Sequence, residues 1–230
     1  MKTIGILGGM SWESSAHYYA ITNRLVRERR GGIVSAPIVM HSFDFDAIAA
    51  LQRQDEWERL GEMLGDAAAG LERAGADCIL IATNTMHLVA PAVQSAVSCP
   101  LIHIADPLSD ALKANGHEKV GVLATRFTME QPFYAERLKT HGLTAVIPND
   151  THRGEIHRVI FEELCAGQVL DASRDFYCDV IEDLKARGAT AIALACTEIM
   201  LLIEQCHSPL PLFDTTELHC RAAVDFALGA

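Results

Sequence analysis

The sequence predicts an α/β protein of two similar domains, each with a mostly parallel sheet flanked by helices. Short β-rich segments alternate with amphipathic segments, an order typical of parallel sheets that helices cover on both faces. Two internal matches at nearly the same offset indicate two related halves. Half of the 230 residues are hydrophobic and 21% are charged, as in chains that bury a core. We therefore expect a pseudo-symmetric molecule.

The predicted strands are short runs rich in aliphatic and β-branched residues, and amphipathic stretches separate them. The predicted strands are residues 3–7, 37–41, 77–82, 101–104, 119–124, 144–148, 191–195 and 210–213. The clearest predicted helices are residues 55–74, 131–141, 153–166 and 172–187. Gly75, Gly142 and Gly188 each follow a helical segment and precede a strand, which is where helices commonly end.

Two pairs of segments resemble each other in the same order along the chain. RAGADCILIATNT matches ARGATAIALACTE and sets Gly75 against Gly188, and KTIGILGG matches KVGVLATR and sets Gly5 against Gly121. Chance recurrence of a common α/β pattern is the alternative for either match alone. Because both matches keep the same order, we favour a duplication of one α/β unit.

The predicted domains are residues 1–98 with 210–230, and residues 99–209. Ligands of open α/β sheets bind beyond the carboxyl ends of the strands, and clefts between domains are common ligand sites. We therefore expect the active site in an interdomain cleft. The polar segments at predicted strand ends are residues 8–14, 83–87, 125–128 and 196–198.

Cys196 is the leading candidate for a catalytic side chain. It ends an apolar strand and precedes Thr197, Glu198 and Ile199, where a following helix would direct backbone N–H groups at the thiol and lower its pKa. The alternative is a small buried hydrophobic residue, the usual fate of a cysteine. Because the repeat sets Cys196 against Thr83, we favour a functional thiol.

Thr83 and the residues after it form the matching segment of the first half. A hydroxyl is too weak an acid to serve as a base unaided, but Thr83 can bind a carboxylate, relay a proton or position water. The alternative for Thr83, Asn84 or Thr85 is a helix N-cap. Together with Thr197, Asn84 and Thr85 supply amide, hydroxyl and backbone donors suited to a carboxylate.

The segment GILGGMS resembles a glycine-rich phosphate loop only in part. It is not G-x-G-x-x-G and no Gly-Lys-Ser/Thr follows, so nucleotide binding is not predicted. Its glycines fit a tight turn that lets the backbone approach a small ligand. Thr125 and Thr128 follow another predicted strand, and two roles stay open for them: hydroxyls that bind an anion, or caps of the next helix.

Charge and hydropathy exclude two classes of partner. The net charge of −11 argues against sequence-independent binding of nucleic acid, which needs clustered Lys and Arg. No apolar run approaches the ~20 residues of a membrane-spanning helix. The start MKTIGILGGM lacks the longer apolar stretch of a secretory signal. We therefore expect a cytoplasmic protein that binds neither nucleic acid nor membranes.

The cysteines and histidines do not predict a metal site. The seven cysteines are odd in number and irregular in spacing, as in reducing compartments. The two adjacent Cys–His pairs, at 206–207 and 219–220, lack the spacing of structural zinc sites. His103 and Asp106 lie at a predicted strand end and are weaker candidates for ligand binding. His87 is expected to support its neighbours rather than act as a base.

Four segments resemble the aspartate/glutamate racemase superfamily. They are GILGGMSWES at the N-terminus, TNTMH at 83–87, GVLATRFT at 121–128 and ACTEI at 195–199. The resemblance covers almost the whole chain and keeps the order of the motifs. Among its branches, the chain looks most like the enterobacterial broad-specificity or L-aspartate/glutamate-specific racemases, whose first catalytic position is also a threonine.

The resemblance implies a homodimer that racemises a small-molecule amino acid with neither pyridoxal phosphate nor metal. One thiol removes the α-proton and a second returns a proton to the opposite face. The second thiol corresponds to Cys196, and the first corresponds to Thr83, where this chain departs from the pattern. A basic residue that many aspartate racemases place before Ala-Gly corresponds to Cys165, so the preferred side chain stays open. The implied substrate contacts are Met10, Gln52, Asn84, Thr85, Thr125, Thr128, Thr197 and Glu198.

The predicted function is a cofactor-independent amino-acid racemase acting on aspartate, glutamate or a broader set. Two alternatives stay open. A decarboxylase of the arylmalonate type keeps only the second cysteine, which protonates one face of an enediolate, and carbon dioxide release would identify it. A non-catalytic amino-acid-binding protein would still be stabilised by its ligand after loss of the Cys196 thiol.

Overall fold

The computed structural model describes residues 1–229, and the strands in this range form two separate parallel sheets. The strands are β1 (Ile4–Gly8), β2 (Ile38–Ser42), β3 (Cys78–Ile81), β4 (Lys119–Ala124), β5 (Thr144–Val146), β6 (Ala191–Ala195) and β7 (Leu212–Asp214). The α-helices are α1 (Trp12–Arg30), α2 (Phe45–Arg53), α3 (Trp57–Arg73), α4 (Ala90–Ser95), α5 (Ala105–Ala114), α6 (Arg126–Glu130), α7 (Pro132–Thr140), α8 (Asp150–Arg158), α9 (Asp171–Ala186) and α10 (Thr215–Leu228). Among the described helices, none is both long and apolar enough to cross a bilayer.

The first compact unit comprises Met1–Ile104 and the C-terminal stretch from His219. Its sheet has the order β2-β1-β3, and β1 and β3 are buried along their whole length. Side chains alternate between the two faces of a strand, so Ile4 and Ile6 join one apolar cluster while Leu7 joins the other. The second cluster contains Leu60 and Leu64 of α3. The sheet is therefore buried on both faces, as the alternation of strands and helices predicts.

The second compact unit comprises Ala105–Leu218, and its sheet has the order β5-β4-β6-β7. Its central strands read as near-continuous apolar runs because both faces are covered. In α9, Val180, Ile181 and Leu184 are fully buried.

The two sheets repeat the same strand order, which confirms the predicted fold class. β1 lies between β2 and β3 in the first sheet, and β4 lies between β5 and β6 in the second. The paired glycines also have the same role. A Cβ on Gly5 would lie 2.8 Å from the Cβ of Ala76, and one on Gly121 would lie 2.6 Å from Cδ1 of Ile192. Close packing against the centre of each sheet therefore accounts for the repeated glycine.

Two predicted elements differ substantially from the structure. Residues 101–104 were expected to form a strand, but only Leu101 pairs, in an isolated parallel bridge with Ile79. The helix expected over 153–166 begins earlier, because the Asn149 side chain caps it, and α8 ends at Arg158. The chain continues as a π-helical turn, Val159–Glu163, and a 3₁₀ turn.

The C-terminal boundary of the second unit also differs from the predicted domains. Residues 210–218 were expected in the first domain, but β7 pairs in parallel with β6, with Ala193 opposite Phe213. The hydroxyl of Thr215 further donates to the carbonyl of Leu194 at 2.9 Å. These backbone and side-chain bonds place the segment in the second unit.

Candidate active site

The second unit brings together five predicted site residues at one edge of its sheet. Ala124 ends β4 and lies opposite Ala195, which ends the neighbouring strand β6. Thr125 and Cys196 therefore directly follow the ends of two neighbouring strands. We call the group at this edge the cysteine cluster. It comprises Thr125, Thr128, Cys196, Thr197 and Glu198, all of them buried.

A carboxylate holds the thiol of the cysteine cluster. The Sγ atom of Cys196 donates to Oε2 of Glu198 at 3.0 Å, and the hydroxyl of Thr197 donates to the same oxygen at 2.7 Å. Cys196 is 9% exposed, so little water competes for the thiol proton. The sulfur therefore lies within direct proton-transfer distance of a base.

Burial and the neighbouring carboxylate raise the pKa of the Cys196 thiol well above its usual range. The expected lowering of this pKa was wrong for two reasons. The helix expected after the strand is only a 3₁₀ turn, Ile199–Leu201, which has little dipole to offer. The charge of Glu198 also disfavours a thiolate beside it. The thiol therefore holds its proton at neutral pH.

Sequence reasoning missed a second set of polar groups around this thiol. Burial raises the pKa of the Tyr177 hydroxyl well above its usual range, and the charges of Cys196 and Glu163 raise it further. Glu163 accepts from the hydroxyl of Ser173 at 2.5 Å and from the guanidinium of Arg158 at 2.7 Å. Glu163 ends the π-helical turn, and such turns are frequent near functional sites. Periodicity cannot reveal them, since they leave the 3.6-residue repeat.

Thr125 caps a helix in the cysteine cluster. Its hydroxyl oxygen accepts from the backbone N–H of Thr128 at 3.5 Å, and the two hydroxyls lie 3.3 Å apart. Of the two roles left open, the structure supports the helix cap directly. The cap fixes both hydroxyls at the carboxyl end of β4, beside the strand that Cys196 follows.

The first unit presents the matching segment after β3. The backbone N–H of Ala82 donates to the carbonyl of Leu7 at 2.9 Å, and the Ser14 hydroxyl donates to the carbonyl of Ala82 at 2.8 Å. Asn84 and Thr85 are buried, whereas Thr83 is partly exposed. We call Thr83–Thr85 the threonine turn. The 3₁₀ turn Thr85–Val89 that follows has no side-chain cap, so the structure does not support the alternative role, a helix N-cap, for the residue that precedes it.

Met10 and Gln52 lie in the same unit as the threonine turn. Met10 belongs to the apolar cluster that contains Met86, and Nε2 of Gln52 donates to the sulfur of Met86 at 3.1 Å. Gln52 therefore contacts the 3₁₀ turn that follows Thr83, and Met10 belongs to the apolar cluster that this turn joins.

The glycine-rich segment needs a glycine at position 9, because another part of the chain passes close to its backbone. Gly9 has a φ of +82°, and its N–H donates to the hydroxyl of Ser15 at 2.7 Å. A Cβ at this position would lie 2.2 Å from the carbonyl oxygen of Phe43. The close approach that the structure shows is to the backbone after β2, and the approach to a small ligand stays a prediction.

We expect Gly9→Ala to lower the free energy of unfolding by roughly 3 kcal/mol, because it adds left-handed backbone strain and a backbone clash. Urea unfolding followed by circular dichroism measures the loss. Gly31→Ala is the matched control, since Gly31 also has a positive φ but nothing lies within 4 Å of its added Cβ. Equal losses in the two variants would contradict the clash.

A buried histidine holds the backbone of the threonine turn. Nδ1 of His87 lies 2.8 Å from the carbonyl oxygen of Thr83, and Nε2 accepts from the backbone N–H of Ile104 at 3.1 Å. Burial lowers the pKa of His87 well below its usual range, and the charges of His103 and His219 lower it further. As expected, His87 supports its neighbours.

We expect the protein to lose stability as pH falls below about 6.5. A histidine with a lowered native pKa binds a proton first in the unfolded chain, so its stabilising contribution is complete above the unfolded pKa. Below that pH, His87 alone removes about 1.4 kcal/mol per pH unit until its native pKa is reached. Unfolding in urea at several pH values checks the slope, which should shrink by one proton in His87→Asn. An unchanged slope would contradict this assignment.

Asp106 is occupied by structural partners. The guanidinium of Arg137 donates to its two carboxylate oxygens at 2.7 and 2.6 Å, and Nε2 of His141 lies 3.1 Å from one of them. His103 instead lies beside His87, with ring centroids 4.5 Å apart. Each of the two weaker ligand candidates therefore has neighbours within its own unit.

Comparisons with known proteins agree with this architecture. The family model for Asp/Glu/hydantoin racemases matches residues 7–223. A candidate Asp/Glu racemase from Yersinia pestis shares 45% identity with a TM-score of 0.93, over 99% of this chain and 100% of that one. PH1733, an aspartate racemase homologue from Pyrococcus horikoshii OT3, shares 34% identity with a TM-score of 0.87, over 99% of this chain and 100% of that one.

A curated relative gives the same family. The broad-specificity amino-acid racemase RacX of Bacillus subtilis (strain 168) is 24% identical over 179 residues, which cover 77% of this chain and 76% of the relative. With a family model that matches nearly the whole chain, the chain belongs to the Asp/Glu/hydantoin racemase family and is an isomerase of the racemase type.

Proposed function

We propose that the chain is a cofactor-independent amino-acid racemase in which Cys196 and Thr83 occupy the two proton-transfer positions. The observation that carries this proposal is the bond between the Cys196 thiol and the Glu198 carboxylate, 3.0 Å long at the end of a buried strand. A carboxylate within hydrogen-bonding distance of a buried thiol can take the thiol proton or return it. The pair is suited to moving a proton.

The thiol of the resting enzyme is in the proton-donating form. In the donating direction, the Sγ–H bond breaks, a C–H bond forms at the α-carbon, and sulfur is left as a thiolate. In the abstracting direction, the Cys196 proton passes to Oε2 of Glu198, and the thiolate then takes the α-proton. Donation leaves the thiolate on sulfur and the abstracted α-proton on the water at the Thr83 side, whereas abstraction leaves a proton on Glu198 and takes one from that water. Proton exchange with solvent then restores the thiol and the carboxylate, so the protons balance over each cycle.

The carbanion formed at the α-carbon needs donors that are already in place, since solvent cannot reorganise around it in time. We propose that hydroxyls and amides of the cysteine cluster and the threonine turn bind the α-carboxylate as it becomes enediolate-like. Met10 and Gln52 complete the contacts from the first unit. The donors are Asn84, Thr85, Thr125, Thr128 and Thr197.

Thr83 makes the proposed enzyme asymmetric. Its hydroxyl is a far weaker acid than a thiol, so proton transfer on its side goes through water or another relay. The equilibrium constant between enantiomers stays about one, so asymmetry can appear only in rates and saturation. We infer that the enantiomer whose α-proton faces Cys196 exchanges faster.

The substrates we propose are aspartate, glutamate or a broader set of amino acids. Cys165 lies close enough to Cys196 for its charge to raise the pKa of that thiol. A thiol at this position supplies no cation for a second carboxylate, which favours the broader set. We further propose a cytoplasmic homodimer in which the cysteine cluster and the threonine turn act on the same substrate.

Incubation of the protein with single L-amino acids, followed by chiral chromatography, tests the proposal. The expected result is accumulation of the D-enantiomer toward an equal mixture, with no added cofactor and in the presence of a metal chelator. Ligand-induced stabilisation without turnover would instead indicate a binding protein, and the proposal would fail.

One observation favours a second candidate, decarboxylation of a disubstituted malonate. A thiol whose proton is retained at neutral pH is suited to protonating an enediolate once carbon dioxide has left. This reaction needs only the donating direction. Release of carbon dioxide from an arylmalonate, with no racemisation of any amino acid, would identify it.

A further inference from the structure

The first unit contains two buried histidines that the proposed proton transfers do not use. His87 follows the threonine turn, and His219 lies in α10. Both are almost completely buried, and their ring centroids are 5.8 Å apart. Buried imidazoles are costly unless both nitrogens have partners, so their bonds define what they hold.

The partners of His87 fix its protonation state. The backbone N–H of Ile104 can only donate, so Nε2 of His87 accepts and is unprotonated. The proton of the neutral ring is then on Nδ1, which donates to the carbonyl oxygen of Thr83 at 2.8 Å. The ring therefore bridges two backbone segments that are 21 positions apart in sequence.

The two segments that His87 joins are the threonine turn and the connection to the second unit. Thr83 is the first residue of the threonine turn, and Ile104 is the last residue before the chain enters the second unit at Ala105. The chain returns to the first unit at His219. Nε2 of His219 donates to the carbonyl of Ile102 at 2.7 Å, and its Nδ1 accepts from the Tyr18 hydroxyl at 2.9 Å. The hydrogen bonds of the two histidines therefore lie at both points where the chain passes from one unit to the other.

We propose that His87 is a positioning residue. In its Nδ1–H tautomer it holds the backbone of Thr83 at a fixed position relative to the backbone of Ile104. The proposal rests on the racemase function proposed above for the role of Thr83. A carbonyl bond to His87 restrains the peptide plane after Thr83 and so the backbone from which the Thr83 side chain projects. Misplacement of a reacting group by about 1 Å can cost a hundredfold in rate.

Two conservative variants separate the two bonds of the ring. An asparagine amide reaches the position of Nδ1, so His87→Asn can still donate to Thr83 but loses the acceptor for Ile104. A glutamine oxygen reaches the position of Nε2, so His87→Gln can still accept from Ile104 but loses the donor to Thr83. His117→Gln is the control, because His117 lies in the second unit beside the hydroxyl of Thr190.

We expect His87→Gln to lower kcat at least tenfold with less than a threefold change in KM, and His87→Asn to stay within threefold of the parent. Amide hydrogen exchange over residues 83–89 should accelerate in His87→Gln and change little in His87→Asn. If both variants keep the parent kcat, or lose it equally together with stability, His87 has only a structural role and the proposal is overturned.

Two readouts work without turnover, and the second of them needs no variant. The exchange experiment tests whether His87 holds the turn even if the parent racemises no amino acid, so the two proposals can fail separately. Nitrogen-15 spectra of the unsubstituted protein report the tautomer of each histidine. A proton on Nε2 of His87 would overturn the proposal, and a proton on Nδ1 would support it.

Discussion

Cys196→Ser should lower kcat for racemisation by about 10²- to 10⁴-fold, the usual contribution of a positioned acid–base group. The serine hydroxyl keeps the shape of the side chain and its bond to Glu198, but it is a far weaker acid than the thiol. KM should change little, because the α-carboxylate is bound by other groups. Chiral chromatography with each enantiomer measures both constants.

The matched control is Cys178→Ser, a partly buried cysteine of the same unit whose Sγ donates to the carbonyl of His207 at 3.4 Å. It should keep the parent kcat. Should Cys196→Ser racemise at the parent rate, the thiol would have no part in proton transfer, and the assignment of the cysteine cluster would fail.

Glu198→Gln should produce two opposite effects. The carboxylate raises the pKa of the Cys196 thiol, so its removal should lower that pKa and make the sulfur more reactive toward iodoacetamide at a given pH. Racemisation should nevertheless fall by about 10²-fold, because the amide cannot take the thiol proton. Mass spectrometry of alkylated peptides over a pH series, beside kinetics, measures both effects.

Cys206 provides an internal control in the same sample. It is exposed, and its Sγ lies 4.0 Å from Oε2 of Glu204, so its alkylation should not respond to Glu198→Gln. Unchanged alkylation of Cys196 would show that the carboxylate does not control the thiol. Parent activity in the variant would show that another base takes the proton.

The fold class could be predicted because the alternation of apolar strands with amphipathic helices is a local pattern. Segments 119–124 and 191–195 have the predicted bounds, since apolar runs between glycine and polar residues have little freedom to shift. The glycine repeat could also be predicted, because Gly5 and Gly121 face the same steric demand. The strand at 101–104 failed because pairing depends on a neighbour that sequence does not identify.

The chemistry of the thiol was harder to predict than its position. Sequence identified Cys196 from the end of a strand, but the sign of its pKa shift depends on where Glu198 directs its oxygens. The whole ACTEI segment is buried, so the packing of the surrounding chain sets that direction. The two bonds of His87 likewise join segments that no periodicity connects. Such contacts are the parts of a site that one sequence leaves undetermined.

The most direct test of the central claim is α-proton exchange in deuterium oxide, followed by NMR for each enantiomer of each amino acid. The proposed mechanism predicts exchange of both enantiomers of at least one amino acid, faster for the one whose α-proton faces Cys196, and loss of that faster exchange in Cys196→Ser. Absence of exchange with every amino acid, or exchange that survives in Cys196→Ser at the parent rate, would contradict it.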